Sequence, residues 1–163
     1  MPNKAQKIKQ WLYRYRVELG VGMGIFLLDH FTKVLALYYL PESPVRLLPF
    51  FQLRYVENTG AAFGMMQGGN LLLIFVMLGI MAYILKSWKE LCSYGSLVRW
   101  GCVCILAGAA GNLYDRIMLG YVVDFLDFLV WPVFNIADSF ITVGGCLIAV
   151  SFLINRKSAE EKK

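Results

Sequence analysis

Four apolar runs of roughly 20 residues each dominate the sequence. They cover about residues 17–40, 70–88, 96–117 and 135–154. A helix needs about 20 apolar residues to cross the hydrocarbon core of a bilayer. Charged residues make up only 17% of the chain, whereas about a quarter is usual in soluble domains. The sequence therefore predicts an all-α membrane protein with four transmembrane helices, folded as a single integral membrane domain over residues 1–163.

Basic residues are distributed unevenly around these runs. Twelve of the sixteen Lys and Arg residues lie in the N-terminal segment, in the 86–99 loop around the junction of the second and third runs, or in the C-terminal tail. Cytoplasmic segments carry such an excess, so both termini are expected in the cytoplasm. A nucleic-acid site would need a folded basic face with interleaved aromatic residues, and no nucleic-acid partner is expected. Because no small-residue cleavage site follows the first run, we expect it to remain as an anchor.

Residues 41–69 separate the first two runs and are predicted to form an outer cap. Pro41, Pro44 and Pro49 disfavour helix, whereas residues 50–56 partly alternate between apolar and polar side chains, as in a strand. A turn is indicated by Asn58-Thr-Gly60. We therefore expect a small extracytoplasmic β-containing segment here, and its closure over a bound substrate is a hypothesis.

Two carboxylates, Asp124 and Asp138, flank the predicted turn between the third and fourth runs. Acidic side chains at a membrane edge are costly and usually functional. If the two converge, they can share a proton and activate a water molecule, as in aspartic proteases. Each also has a simpler explanation: Asp124 as a solvated loop residue, and Asp138 as an acid in the first turn of a helix capped by Asn135. The residues alone leave both explanations open.

Polar residues also occur within the third run. Gly108, Asn112, Asp115 and Arg116 fall on one face of a helix. Asn112 in an apolar helix indicates a polar partner inside the protein. We expect Arg116 to pair with a carboxylate or a lipid phosphate, or to form a local cluster with Asp115 at the helix end.

The first run contains Asp29 and Lys33, which lie four residues apart and can form an ion pair within the helix. Alternatively, Lys33 could extend to lipid phosphates. His30 has no evident catalytic partner and is assigned a packing or interfacial role. The four cysteines and the single histidine show no metal-ligand spacing, so no metal site is expected.

Four sequence blocks lie at the expected ends of the four runs. They are Asp29-His-Phe-Thr-Lys33, Asn58-Thr-Gly-Ala-Ala-Phe-Gly64, Gly108-Ala-Ala-Gly-Asn-Leu-Tyr-Asp-Arg116 continued by Gly120-Tyr-Val-Val-Asp-Phe125, and Phe134-Asn-Ile-Ala-Asp-Ser139. In this order and over nearly the whole chain, they resemble the lipoprotein signal peptidase family (signal peptidase II). Two departures, His30 for the common Gln and Ala107-Gly108 for Gly-Gly, bear on packing.

The resemblance implies an aspartic endopeptidase of the bacterial cytoplasmic (inner) membrane. Such an enzyme removes the signal peptide from a prolipoprotein whose cysteine carries a diacylglyceryl group, cutting just before that cysteine near the extracytoplasmic face. Asp124 and Asp138 match the catalytic pair. The residues matched to the lining of the site are Asn58, Gly60, Asn112, Arg116, Asn135, Asp29 and Lys33.

The resemblance also sets expectations about ligands and partners. No metal and no cofactor are needed, and the partners are lipid-modified prolipoproteins and membrane lipids. Sensitivity to globomycin-type inhibitors and a monomeric state are expected.

Two other function classes stay open. One is a small ion- or proton-coupled transporter, with Asp29, Lys33, Asp115 and Arg116 as a relay. The lack of an internal repeat and of charges near the centre of the second and fourth runs counts against it. The other is a non-enzymatic membrane assembly factor.

Overall fold

The computed structural model describes residues 3–60 and 69–160. Six helices occur in these ranges: α1 (Lys4–Arg14), α2 (Arg16–Tyr39), α3 (Asn70–Lys86), α4 (Trp88–Ser93), α5 (Ser96–Met118) and α6 (Ile136–Glu160). The apolar runs predict α2, α3, α5 and α6, with close agreement at their ends except that α6 continues to Glu160, past the predicted end near residue 154. They do not predict α1 or α4, because the first is rich in basic residues and the second has only six residues.

Three of the described helices are long and apolar enough to cross a membrane. They are α2, α5 and the Ile136–Asn155 part of α6. The apolar helix α3 has 17 residues and, at 1.5 Å per residue, spans only about 26 Å. The prediction of a mainly helical membrane protein is confirmed, whereas the count of four spanning helices remains a prediction.

Glycines bring α5 and α6 into close contact. A Cβ on Gly101 would lie 2.7 Å from the Gly144 carbonyl oxygen, and a Cβ on Gly144 would lie 2.6 Å from the Gly101 carbonyl oxygen. Likewise, Gly108 has no room for a Cβ because the Ala137 carbonyl oxygen occupies that space. Small residues at the contact thus let these two helices approach closely.

A three-stranded antiparallel sheet packs against the end of α2. Its strands are β1 (Val45–Leu48), β2 (Phe51–Asn58) and β3 (Val122–Asp127), in the order β1-β2-β3. Val123 and Phe125 of β3 form a buried cluster with Ala36 and Leu40 from the end of α2. The strand expected within residues 50–56 is confirmed as β2. Its antiparallel pairing with β3, in which Val56 is opposite Asp124, fixes the position of Asp124.

Candidate active site

The N-terminal end of α6 is closed by a reciprocal pair of hydrogen bonds. The backbone N–H of Asp138 donates to Asn135 Oδ1 (2.9 Å), and the backbone N–H of Asn135 donates to Asp138 Oδ2 (3.3 Å). This is the predicted capping arrangement, with Asp138 near the positive end of the helix dipole. The cap engages Oδ2 only, and Asp138 Oδ1 accepts a hydrogen bond from Asn112 Nδ2 (2.7 Å).

Asp124 lies on β3 and is almost completely buried, with 1% of its surface exposed. Its two carboxylate oxygens accept hydrogen bonds from two amides. Asn58 Nδ2 donates to Oδ2 (2.8 Å), and Asn135 Nδ2 donates to Oδ1 (2.7 Å). The alternative that Asp124 is a solvated loop residue is therefore wrong, because the pairing of β3 with β2 draws it into the interior.

The two aspartates converge on Asn135. The side chain of this residue binds Asp124, and its backbone N–H binds Asp138. Burial, together with the adjacent negative charge of Asp138, raises the pKa of the Asp124 carboxyl to about 7. Two carboxylates in mutual electrostatic contact favour a state in which the pair holds one proton.

Lys33 lies behind this pair in a buried ionic network. Its Nζ is 2.9 Å from Asp29 Oδ2 and 3.0 Å from Asp115 Oδ2, and it donates to Asn112 Oδ1 (2.8 Å). The predicted ion pair with Asp29 is confirmed. Lys33 does not extend to lipid phosphates, because its side chain is only 2% exposed. Through Asn112, the ammonium group is one side chain removed from Asp138.

The two carboxylates that flank Lys33 also bind backbone groups of neighbouring elements. Asp29 Oδ1 accepts the N–H of Ala137 (2.8 Å) on α6, and Asp115 Oδ2 accepts the N–H of Val123 (3.1 Å) on β3. The network thus ties α2, α5, α6 and β3 together around the aspartate pair. Gly111 is required here, because a Cβ at that position would collide with Asp29 Oδ2.

Arg116 binds the turn after β2. Its guanidinium donates to the Gly60 carbonyl oxygen (2.6 Å) and to Asn70 Oδ1 (3.2 Å). No carboxylate of the described residues forms an ion pair with Arg116, and the expected cluster with Asp115 is replaced by the pairing of Asp115 with Lys33. Pairing of Arg116 with a lipid phosphate stays a prediction. The Gly60 N–H in turn donates to Asn58 Oδ1 (3.1 Å), so Arg116 holds the turn that carries Asn58. Residues 61–64 of this sequence block lie outside the described residues.

All nine predicted site residues lie within the described ranges. They form three groups: the aspartate pair with its amide partners, the ionic network, and the turn at Gly60. Asn58, Asn112 and Asn135 contact an aspartate directly, whereas Lys33 acts through Asn112. Gly60 and Arg116 belong to the turn beside Asn58, and Asp29 belongs to the ionic network. Whether Asp124 and Asp138 are catalytic stays a prediction at this stage.

Two contributors were not assigned to the site from the sequence, Asp115 and Asn70. Asp115 shares a helix face with Asn112, and this spacing alone could have predicted that Asp115 belongs to the site. Asn70 on α3 and Arg116 on α5 donate hydrogen bonds to each other, and no local sequence pattern indicates such a contact.

His30 packs between Phe26 and Tyr114, with ring centroids 6.3 and 5.1 Å away, so its predicted packing role is confirmed. Within the described ranges, no group of three or more His, Cys, Asp or Glu side chains could hold a metal ion.

Comparisons with known proteins agree with this architecture. A family model described as "Signal peptidase (SPase) II" matches residues 21–154. The lipoprotein signal peptidase of Caldanaerobacter subterraneus subsp. tengcongensis is 46% identical over 129 residues, which cover 76% of this chain and 87% of that protein. The lipoprotein signal peptidase of Caldicellulosiruptor bescii is 41% identical over 140 residues, covering 85% and 91%.

Solved structures give the same result for the fold. A bacterial membrane enzyme determined by the in meso method at 2.3 Å resolution superposes with a TM-score of 0.81 at 27% identity, covering 90% of this chain and 92% of that one. A second, at 1.9 Å resolution, gives a TM-score of 0.74 at 25% identity, covering 84% and 92%. The chain therefore belongs to the signal peptidase II family of membrane proteases.

Proposed function

We propose that this enzyme removes the signal peptide from prolipoproteins whose cysteine already carries a diacylglyceryl group, cutting just before that cysteine. The relatives reported above are named lipoprotein signal peptidases, which supports this substrate class. The transporter alternative finds no support among them. The observation that supports the reaction type most strongly is the convergence of Asp124 and Asp138 on Asn135.

The reaction uses the two aspartates in different protonation states. Asp138 is the ionised partner, because the N-terminal end of α6 and the Asn112 amide favour its negative charge. Asp124 is the protonated partner, consistent with its raised pKa of about 7. Asp138 takes a proton from water as the water oxygen attacks the scissile carbonyl carbon, and Asp124 donates its proton to the carbonyl oxygen.

Breakdown of the tetrahedral intermediate completes the hydrolysis. The C–N bond breaks, Asp138 passes its proton to the departing cysteine nitrogen, and Asp124 regains its proton from the hydroxyl group. The products are a signal peptide with a free carboxylate and a lipoprotein with a free amino group. Neither a covalent acyl-enzyme nor a metal or cofactor is needed for these steps.

The distribution of the basic residues supports the membrane orientation in this proposal. In this proposal α3 is the fourth spanning helix, since 17 residues reach the lower end of the range for a transmembrane helix. The N-terminus, the connection containing α4 and the C-terminus then lie in the cytoplasm. The sheet and the aspartate pair lie at the extracytoplasmic side of the inner membrane, where lipid tails stay in the bilayer while water reaches the peptide bond.

The remaining expectations concern ligands and assembly. The enzyme works as a monomer in contact with membrane lipids and lipid-modified prolipoproteins. It is inhibited by globomycin-type compounds, an expectation that follows from the family. Residues 41–69 close over the bound substrate. Arg116 supports this role because its guanidinium binds the Gly60 carbonyl oxygen and so holds one end of the segment to α5.

Cleavage of a defined precursor by the purified protein tests the function. A synthetic precursor peptide with a diacylglyceryl cysteine is compared with the same peptide bearing an unmodified cysteine, and the products are identified by mass spectrometry. We expect cleavage of the lipidated peptide immediately before the cysteine, and little or none of the unmodified peptide. Equal cleavage of both peptides, or cleavage at another bond, would refute the proposed substrate.

A further inference from the structure

A cavity that does not include the aspartate pair lies between α2, α5 and the region where α3 meets α4. Its volume is about 600 Å³, within the range of small-molecule sites in proteins. The side chains and backbone that form its apolar wall include Leu19, Gly22, Met23, Phe26, Val103 and Leu106. None of the nine predicted site residues lines it.

The length of this cavity corresponds to one leaflet of a bilayer. Its lining extends from Tyr15, immediately before α2, to Phe26 on that helix, which is about 17 Å at 1.5 Å per residue. Half of a hydrocarbon core is about 15 Å thick. The apolar wall is therefore long enough to contact one acyl chain from the membrane surface to about the midplane.

The rim of the cavity carries positive charge. Lys86 and Lys89 line it, and neither forms an ion pair within residues 3–60 and 69–160. Glu18 also lines the cavity, but its Oε1 is 3.5 Å from Arg99 Nε, so its charge is balanced. The two lysines thus leave a cationic rim at the end of an apolar groove.

We propose that this cavity binds an anionic phospholipid of the cytoplasmic leaflet. The phosphate contacts Lys86 and Lys89, and one acyl chain lies along the apolar faces of α2 and α5. The charge of the rim favours an anionic lipid over the signal peptide of a substrate, because the two lysines would repel the basic start of a signal peptide. The inference goes beyond the proposed function and uses only its membrane orientation, to assign the leaflet.

Native mass spectrometry of the full chain in detergent tests the site. The protein is titrated with dioleoylphosphatidylglycerol or with dioleoylphosphatidylcholine. We expect preferential binding of the anionic lipid, and we expect the double variant Lys86→Gln/Lys89→Gln to bind it about 10–30-fold more weakly. Both lysines are on the surface, so this variant retains the fold. The matched control Lys4→Gln/Lys9→Gln removes the same charge from exposed positions on α1 and is expected to bind as the wild type does.

A second variant tests the apolar wall separately from the charge. A Cβ on Gly22 would lie 3.7 Å from Val103 Cγ1, so Gly22→Leu places a side chain in the groove and is expected to weaken binding of the anionic lipid. Three results would each overturn the proposal: unchanged binding in the Lys86/Lys89 variant, an equal loss in the Lys4/Lys9 control, or displacement of the bound lipid by excess lipidated precursor peptide. The last would show that the cavity is part of the substrate groove. None of these readouts depends on cleavage, so they are separate from the test of the proposed function.

Discussion

Replacement of Lys33 by methionine removes the only cation from the ionic network behind the aspartate pair. The ammonium group contacts Asp29 at 2.9 Å, Asp115 at 3.0 Å and Asn112 at 2.8 Å. Apart from this ion pair, Asp29 Oδ2 has no hydrogen-bond donor among the described residues. The variant Lys33→Met would therefore leave the two buried carboxylates, Asp29 and Asp115, without their shared counter-ion.

The expected loss of stability is large for a single substitution. Removing one partner of a buried ion pair costs about 3–5 kcal/mol, and in a chain of this size each kcal/mol lowers the melting temperature by about 2–4 °C. We therefore expect Lys33→Met to melt about 6–20 °C below the wild type. Turnover should also fall, because Asn112, which holds Asp138, loses its contact with the ammonium group.

Thermal unfolding in one fixed detergent measures this effect. The control Lys9→Met makes the same chemical change at an exposed position and should melt as the wild type does. In the double variant Lys33→Met/Asp29→Asn the uncompensated charge at residue 29 is removed, so part of the lost stability should return. Equal melting temperatures for Lys33→Met and Lys9→Met would refute the reasoning.

Two further predictions concern pH and helix packing. The kcat/KM for lipidated peptide should fall as pH rises through about 7, where Asp124 loses its proton. In a pH–rate profile of Asn58→Ala this fall should move to higher pH, because Asn58 donates to the ionised carboxylate and lowers its pKa; an unchanged or lower midpoint would contradict the assignment. Gly144→Ala should destabilise the protein by about 1–3 kcal/mol, since its Cβ would meet the Gly101 carbonyl. Gly145→Ala, with nothing within 4 Å, is the control, and equal unfolding temperatures for the two variants would contradict the packing argument.

Features encoded by short-range patterns are predictable from this sequence. The apolar runs mark the four long helices, and the spacing of Asn135 and Asp138 predicts the cap of α6. The four-residue spacing of Asp29 and Lys33 predicts their ion pair. Each of these features depends on residues within a few positions of one another, so helix geometry alone determines them.

Features that depend on distant pairing are not predictable in the same way. The partner of Arg116 is the carbonyl of Gly60, 56 positions away. Every residue has a backbone carbonyl, so the residue types do not indicate which carbonyl accepts the hydrogen bond. Asp115 forms its ion pair with Lys33 and not with Arg116, because the packing of α2 against α5 buries the Lys33 ammonium group beside the Asp115 carboxylate. Strand β1, which follows Pro44, becomes a strand only through its pairing with β2.

The role of the aspartate pair is tested most directly by single-turnover cleavage of lipidated peptide, with peptide binding measured alongside. Asp124→Asn and Asp138→Asn should each lower the rate by at least about 10²–10⁴-fold while binding is retained. Asp127→Asn is the matched control, because Asp127 lies on the same strand and is also buried but accepts hydrogen bonds from Gln52 and Arg54; its rate should stay close to that of the wild type. Full activity in either the Asp124 or the Asp138 variant would contradict the assignment.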